Sequence, residues 1–414
     1  MTLSLKIFLS LLAGLGVGTA LTAFGSPAAS ATALAIFEPV GGVWLDGLQM
    51  TVIPLVVGLL FTGIADAAGS ARTSRLAGRA LLLFAVFIIG SAVIAVFFVP
   101  ALLAAWPIAA GAAEALLAGE ATTAAAPVTM TAGAWLRSFV PTNVFAALAS
   151  GTMLQLVVFT GAFAMAATRL PDTQRTALVT LFNAVTQAML VLVQWVLALA
   201  PIGVFALAAM VGIKAGAGAI GILAHYVAII IAVQLVIIIL TYALAAAFTR
   251  PGLVAFARAA IPAQVVAVST QSSIATLPAM VAATTGPLRV PDAVARLVLP
   301  MAVSVFRATS APANLAVVLY VAHLHGLVLG PAQLVTGVAV AFAVSIAAVG
   351  LPGQVSFVTS VAPIALAMGV PIGALPLLIA VEMVPDIFRT LGNVTADIAA
   401  TAVLARDETL DSPG

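Results

Sequence analysis

The feature that most constrains the fold of this chain is a series of apolar runs, each long enough to cross a membrane. Crossing about 30 Å of hydrocarbon takes roughly 20 helical residues. Runs of this length lie near residues 4–24, 42–66, 78–106, 133–168, 176–210 and 216–248. They lack the short alternating pattern of barrel strands. Because only 7% of the residues are charged, a soluble domain is excluded, and the sequence predicts an all-α polytopic membrane protein.

The pattern changes after residue 250, where two shorter, interrupted apolar segments each precede a longer one. The two pairs cover 252–285 with 292–322 and 331–368 with 371–405. The interruptions are STQSSIATLP at 269–278 and AAVGLPGQVS at 347–356, and such clusters of small residues with proline break helices. Unwound backbone at this depth is tolerated where it lines a cavity, so the repeated breaks indicate a transport site. We predict eight transmembrane helices plus two re-entrant helical hairpins.

The basic residues predict the orientation of the chain. They lie between the apolar runs or at their ends, which is typical of topology signals and not of a nucleic-acid interface. The Ala-rich loop at 107–132 has no Lys or Arg, so it is predicted to lie outside. Both termini are then cytoplasmic in a bacterial-type inner (plasma) membrane, with the first hairpin entering from inside and the second from outside. The chain has no cysteine, and we expect no cofactor and no metal ion.

The last apolar segment carries a row of polar residues. In the stretch DIFRTLGNVTAD, the residues Asp386, Arg389, Thr390, Asn393 and Asp397 follow spacings of three and four, so they share one helix face. A charge at the bilayer centre costs ~2.5 to 3.5 kcal/mol. Several charges on one face therefore predict a paired, partly hydrated interior, although a polar ladder that only packs helices together is the alternative.

Six motifs resemble those of the glutamate transporter family, the dicarboxylate/amino acid:cation symporters, over about residues 5–408. They are QMTVIPLV (49–56), PTNVFAALASGTMLQLVVF (141–159), APIGVFAL (200–207), SSIATLP (272–278), VGLPG (349–353) and DIFRTLGNVTAD (386–397). The resemblance, to a prokaryotic-type member, implies inverted repeats, a homotrimer and an elevator mechanism. It also implies scaffold helices at 1–75 and 131–210, transport-domain segments at 76–130 (with an external loop), 211–250 and 251–408, and a cytoplasmic tail at 409–414.

The resemblance also assigns a substrate site. Ser272 and Ser273 at the first hairpin tip and residues 350–353 at the second, including Gly350, Pro352 and Gly353, are implied to enclose the substrate. By the same resemblance Thr390, Asn393 and Ser310 supply polar contacts. Asp386 is implied to bind an amino group and Arg389 a side-chain carboxylate, and their chemistry agrees with those roles. L-Glutamate or L-aspartate is therefore favoured over a plain dicarboxylate or a neutral amino acid.

The chain departs from the family at the helix after the first hairpin. Sodium-coupled relatives carry Asn-Met-Asp-Gly-Thr there, whereas residues 306–310 read FRATS. Asn is replaced by Phe306, Met by Arg307 and Asp by Ala308. In the third span the sodium ligands of the family align with Phe87 and Gly90, and Ser91 is retained. Because sodium needs oxygen ligands, at least one sodium site is predicted to be lost.

Arg307 is interpreted as a tethered cation near Asp397, in place of a bound sodium ion; a purely structural ion pair is the alternative. The sequence then predicts a sodium-independent secondary transporter of acidic amino acids. It is either proton-coupled, with Glu382, Asp386 or Asp397 as the proton carrier, or an exchanger. A sodium-coupled symporter of the same family and a substrate-gated anion channel or sensor stay open as alternatives. An enzyme is not expected, since no His lies in the predicted central site and the chain has no Cys nucleophile.

Overall fold

A computed structural model describes residues 3–73, 75–108, 137, 140–215, 218–249, 252–347 and 353–410. These residues form sixteen helices and no strand. The first eight helices are α1 Leu3–Phe24, α2 Pro27–Thr73, α3 Arg75–Ala105, α4 Val144–Ser150, α5 Met153–Ala167, α6 Asp172–Ala198, α7 Ala200–Ala215 and α8 Gly218–Phe248. The others are α9 Gly252–Thr270, α10 Ser273–Thr285, α11 Asp292–Val305, α12 Ser310–Leu324, α13 Pro331–Ala347, α14 Gly353–Met368, α15 Leu375–Val381 and α16 Met383–Leu410.

The fold class predicted from the sequence is confirmed. Seven helical segments of the described chain are long and apolar enough to cross a membrane. One of the seven is α9, the first arm of the first predicted hairpin, and another combines α11 with α12. The protein is therefore a multi-pass, all-α membrane protein.

Small residues determine how the first half of the chain packs. Helix α1 packs against α7, and α2 packs against α5, α6 and α7. A Cβ added at Gly18 of α1 would lie 2.2 Å from the carbonyl oxygen of Ala209 in α7. The two backbones are therefore nearly in contact, the arrangement that small residues allow between helices in a membrane.

Helix α12 is at the centre of the second half, where nearly every one of its residues is buried. It packs against α3, α8 and the hairpin formed by α13 and α14, while α16 packs against α8 to α11. Further contacts between the early and late helices are made by α13 and α14 with α2 and by α15 with α1 and α7. The division into a scaffold and a moving transport domain stays a prediction.

The first predicted interruption falls between two helices, and the second lies largely outside the described residues. In the first hairpin, α9 ends at Thr270 and α10 begins at Ser273. Gln271 has a φ of 50°, and the Ser272 side chain caps α10 by accepting a hydrogen bond from Ala275 N at 3.3 Å. In the second hairpin, α13 is described as far as Ala347 and α14 from Gly353. Residues 348–352 between them lie outside the described part of the chain.

Two segments predicted to be continuous helices are broken. The segment 292–322 unwinds between α11 and α12, over residues 306–309. Pro312 has no N–H to donate to the carbonyl of Ala308, and its ring would clash with that carbonyl in a continuous helix. The Ala308 oxygen instead accepts a hydrogen bond from Ser91 Oγ at 3.1 Å. We call residues 306–309 the α11–α12 break.

The second broken segment is 371–405, where α15 and α16 meet at Glu382. Pro385 causes this break in the same way, since it cannot donate to the carbonyl of Val381. Two other bounds also differ from the sequence prediction. Helix α2 begins well before residue 42, and the segment 133–168 is divided at Gly151, which has a φ of 67°.

Candidate functional site

The polar face predicted on the last helix is buried. Arg389 is 1% exposed and Asp397 is completely buried, and Asp386, Thr390 and Asn393 are buried with them. These side chains face α8, the α11–α12 break and the start of α12. Groups that would otherwise be strongly solvated are thus collected between helices, where they need partners.

Arg389 pairs with two carboxylates of its own segment. Its Nη1 atom lies 2.5 Å from Glu382 Oε1 and 3.2 Å from Asp386 Oδ1. The contact with Asp386 is aligned as a hydrogen bond, whereas the Glu382 contact is an ion pair by distance alone, since Oε1 has no aligned donor in the described structure. Tyr226 OH donates to the other Glu382 oxygen at 3.4 Å.

One edge of the Arg389 guanidinium makes no hydrogen bond to the described residues. Within the described residues, Nε and Nη2 are buried and lack acceptors. Together these two atoms form the planar fork that binds a carboxylate through two parallel hydrogen bonds. Arg389 therefore presents an anion-binding edge while its opposite side is already paired.

Asn393 joins α16 to the α11–α12 break. Its Oδ1 accepts a hydrogen bond from Thr309 N at 3.0 Å, and its Nδ2 donates to Ser310 Oγ at 3.3 Å. The helices can approach this closely because residue 392 is glycine. A Cβ at Gly392 would lie 2.3 Å from Thr309 Cγ2. Asn393, implied by the resemblance to contact substrate, thus also holds the break in place.

Arg307 lies in the α11–α12 break and is half-buried. Its charge interacts favourably with Asp386 and Asp397 and unfavourably with Arg389. Neither carboxylate oxygen of Asp397 has a hydrogen-bond partner among the described residues. A buried carboxylate in that situation stays ionised only if a nearby positive charge compensates it, and Arg307 supplies one.

Aromatic packing surrounds Phe306, which stands where the family motif has Asn. The Phe306 ring stacks on Phe84 with 4.4 Å between centroids and meets the edge of Phe87 at 5.4 Å. Ala308, which replaces the Asp of the family motif, is completely buried. These side chains offer no oxygen to a cation, and the loss of a sodium site stays a prediction.

Ser91 provides a direct test of the break. The Ser91 hydroxyl can donate to Ile88 O at 2.9 Å or to Ala308 O at 3.1 Å. We expect Ser91→Ala to destabilise the protein by about 1 to 3 kcal/mol, because it removes this donor from the buried Ala308 carbonyl. Ser345→Ala is the matched control, since the buried Ser345 hydroxyl has no hydrogen-bond partner in the described part of the chain. Thermal unfolding of both variants measures the difference. Equal midpoints would show that the Ser91 bond contributes nothing.

The other predicted site residues belong to the two hairpins and to α16. Ser272 and Ser273 are half-buried at the first tip. Thr390 Oγ1 donates to the backbone oxygen of Asp386 at 3.0 Å. Gly353 is the first residue of α14. Gly350 and Pro352 lie outside the described residues.

Sequence reasoning missed the partners that α8 contributes. Tyr226 contacts Glu382, and Gln234 is completely buried with both amide atoms lacking partners within the described structure. His225 bonds through Nδ1 to Tyr320 OH at 2.9 Å and through Nε2 to the Trp106 carbonyl at 3.0 Å. Each is an isolated polar group in a long apolar run, which is the signal that could have identified them.

Buried charges enclosed by interrupted helices within an apolar bundle define a membrane transporter. Comparison with known proteins gives the family. The chain belongs to the sodium:dicarboxylate symporter family, which matches residues 3–407, and the resemblance stated from the motifs is confirmed.

The relatives cover nearly the whole chain. The proton/glutamate-aspartate symporter of Escherichia coli is 25% identical over 90% of this chain and 85% of its own length. The proton/sodium-glutamate symport protein of Bacillus subtilis is 26% identical over 99% and 94%. The C4-dicarboxylate transport protein of Rhizobium leguminosarum is 25% identical over 90% and 83%.

Proposed function

We propose that the protein is a sodium-independent secondary transporter of L-glutamate and L-aspartate in which Arg307 replaces a bound cation. The observation that carries the proposal is the position of the Arg307 charge, in the α11–α12 break and acting on the buried Asp397. A guanidinium fixed there makes a diffusible cation unnecessary for compensating that carboxylate. The name of the Escherichia coli relative, a proton/glutamate-aspartate symporter, supports the substrate class.

The substrate assignment rests on two groups of α16. The edge of Arg389 formed by Nε and Nη2 suits the side-chain carboxylate of an acidic amino acid. Asp386, one turn earlier, suits the substrate ammonium. A dicarboxylate without an amino group would leave the Asp386 charge uncompensated by the substrate, and a neutral amino acid would leave the Arg389 edge unfilled.

Glu382 provides a route for proton coupling. The site holds three carboxylates, Glu382, Asp386 and Asp397, and two guanidinium groups, Arg307 and Arg389, so with all five ionised its net charge is −1. An acidic amino acid adds another negative charge. Because Glu382 and the substrate carboxylate both bind Arg389, a proton on Glu382 would weaken its hold on Arg389 and reduce the negative charge of the loaded site.

Uptake into proteoliposomes tests the coupling. We expect an inward proton gradient to drive accumulation of L-glutamate in choline medium, and an inward sodium gradient to have no effect. Glu382→Gln should retain exchange of internal for external substrate while losing the proton-driven accumulation. If wild-type uptake is the same with and without a pH gradient and a protonophore, the protein is instead an exchanger or uniporter.

Sodium coupling is the second candidate. It is favoured by Asp397, whose two oxygens lack hydrogen-bond partners in the described structure and could bind a cation. The same experiment separates the two candidates, because accumulation driven by sodium at constant pH would support this one.

The assembly and orientation are also proposed from the family resemblance. The protein forms a homotrimer with cytoplasmic termini, and its transport domain moves as an elevator. We also propose that it has no enzymatic activity. Cross-linking of the purified protein in mild detergent tests the trimer. A cytoplasmic accessibility assay on cysteines introduced near each end, into a chain that has none, tests the termini.

A further inference from the structure

A partly open apolar cavity of about 190 Å³ lies between α3, α8 and α16. Its wall includes Leu83 and Phe87 of α3, Phe248 of α8, Ala399 and Val403 of α16, and Phe306 of the α11–α12 break. The lining residues lie in the first half of α3, in the last turns of α8 and from the middle of α16 onward. The cavity adjoins the α11–α12 break at Phe306, while Arg389 is not one of its lining residues.

The chemistry of the wall excludes water as a stable occupant. Thr241 contributes the one polar side chain among the lining residues, and its hydroxyl donates to Ile237 O at 2.8 Å within its own helix. A buried water molecule needs two to four polar partners. Since protein interiors are close-packed, an apolar space of this size next to a bilayer is suited to hydrocarbon.

Basic residues occur close in sequence to the lining residues of α3 and α16. Arg406 Nη1 donates to the backbone oxygen of Phe248, a lining residue, at 3.5 Å. On α16, Arg406 follows Val403 by three residues, and on α3, Arg79 precedes Leu83 by four, so each arginine lies on the same helix face as a lining residue. Apolar lining with guanidinium groups at its edge matches the two parts of an anionic lipid.

We propose that this cavity binds one acyl chain of an anionic glycerophospholipid, with its phosphate held by Arg79 and Arg406. The acyl chain contacts Phe306, whose ring packs on Phe84 and Phe87. The lipid thus completes the packing around the first residue of the α11–α12 break.

A photoreactive lipid tests the site in the full-length protein. The probe is phosphatidylglycerol with a diazirine in its acyl chain, added to the purified protein in mild detergent, and the labelled peptides are located by mass spectrometry. We expect labelling in peptides that contain Leu83, Phe248 and Val403. Leu83→Phe fills the cavity and should reduce that labelling on the order of tenfold, the effect of displacing about two methylene groups.

Leu82→Phe is the matched control for the cavity, because Leu82 is 67% exposed and is not part of the lining. Ala399→Leu fills the cavity from α16 and should also reduce the labelling. It provides the same test if Leu83→Phe does not fold. If Leu82→Phe and both filling variants label equally, or if labelled peptides lie elsewhere, the proposal is wrong.

The headgroup is tested with a phosphatidylcholine probe that carries the same acyl chain. We expect wild-type protein to prefer phosphatidylglycerol, and Arg79→Gln and Arg406→Gln each to reduce that preference about fivefold. Equal labelling by the two lipids would overturn the anionic assignment and identify the cavity as a site for any acyl chain.

Discussion

Arg307→Met should bind L-aspartate hundreds-fold or more weakly than wild type in choline buffer. The substitution leaves the buried Asp397 without the charge that compensates it, which costs ~3 to 5 kcal/mol. Sodium should restore binding at best in part, because Phe306 is packed against Phe84 and Phe87 and offers no oxygen. Isothermal titration calorimetry in choline and in sodium buffers measures both effects.

Two further variants separate the loss of charge from a general defect. Adding Asp397→Asn to Arg307→Met removes the unpaired carboxylate and should recover much of the affinity, which gives a coupling energy for the pair. Arg296→Met is the control on α11, because that side chain is 71% exposed and pairs with Asp292. The hypothesis fails if wild-type binding requires sodium. It also fails if Arg307→Met binds as tightly as wild type in choline.

Arg389→Gln should weaken binding of L-glutamate and L-aspartate by about tenfold to 150-fold, the range of a lost charge-assisted hydrogen bond. Binding of L-serine, which has no side-chain carboxylate, should change much less. Wild type is expected to discriminate strongly in favour of the acidic amino acids over both L-serine and succinate. Competition against radiolabelled L-aspartate measures the full set.

The same variant should also be less stable, since Glu382 and Asp386 lose their shared partner. Adding Glu382→Gln should restore the thermal midpoint without restoring the affinity for acidic amino acids. That combination separates the substrate contact from the structural ion pair. Acidic amino-acid affinity that survives Arg389→Gln would remove Arg389 from the binding site.

The hairpins were predictable because their signals are local. Ser, Thr and Gly cluster at the tips together with proline, and such residues interrupt helices wherever they lie. The polar face of α16 was predictable for the same reason, since helical periodicity alone places Asp386, Asn393 and Asp397 together. In both cases a few neighbouring residues determine the outcome.

The α11–α12 break was not predicted, although Pro312 is its signal. The proline lies three residues after Thr309, the last residue of the unwound stretch. A proline disrupts the helix at the carbonyl four residues before it, so the break is easily assigned to the wrong turn. The contact between Glu382 and Arg389 was also missed. Positions seven residues apart are about 10 Å apart along the axis of a straight helix, and the long side chains of Glu382 and Arg389 together span that separation.

Partners from other helices could not be predicted at all. Ser91 reaches the Ala308 carbonyl and Tyr226 reaches Glu382 because α3 and α8 pack beside the site. Those contacts depend on how the helices are arranged in space, which periodicity within one segment does not specify. The sequence could indicate that polar residues in apolar runs need hydrogen-bond partners, but it could not identify the partner atoms.

The covalent attachment of Arg307 also affects how transport is powered. A sodium ion that crosses with the substrate and leaves on the other side converts its own gradient into work. A guanidinium is part of the chain and returns with every empty carrier, so its net displacement over a complete cycle is zero. Under the proposed mechanism Arg307 helps the site to bind but contributes no driving force, and the half-saturation concentration of substrate should not vary with external salt composition. The ratio of internal to external substrate that the protein can reach is then limited by the proton gradient or by the supply of internal substrate for exchange.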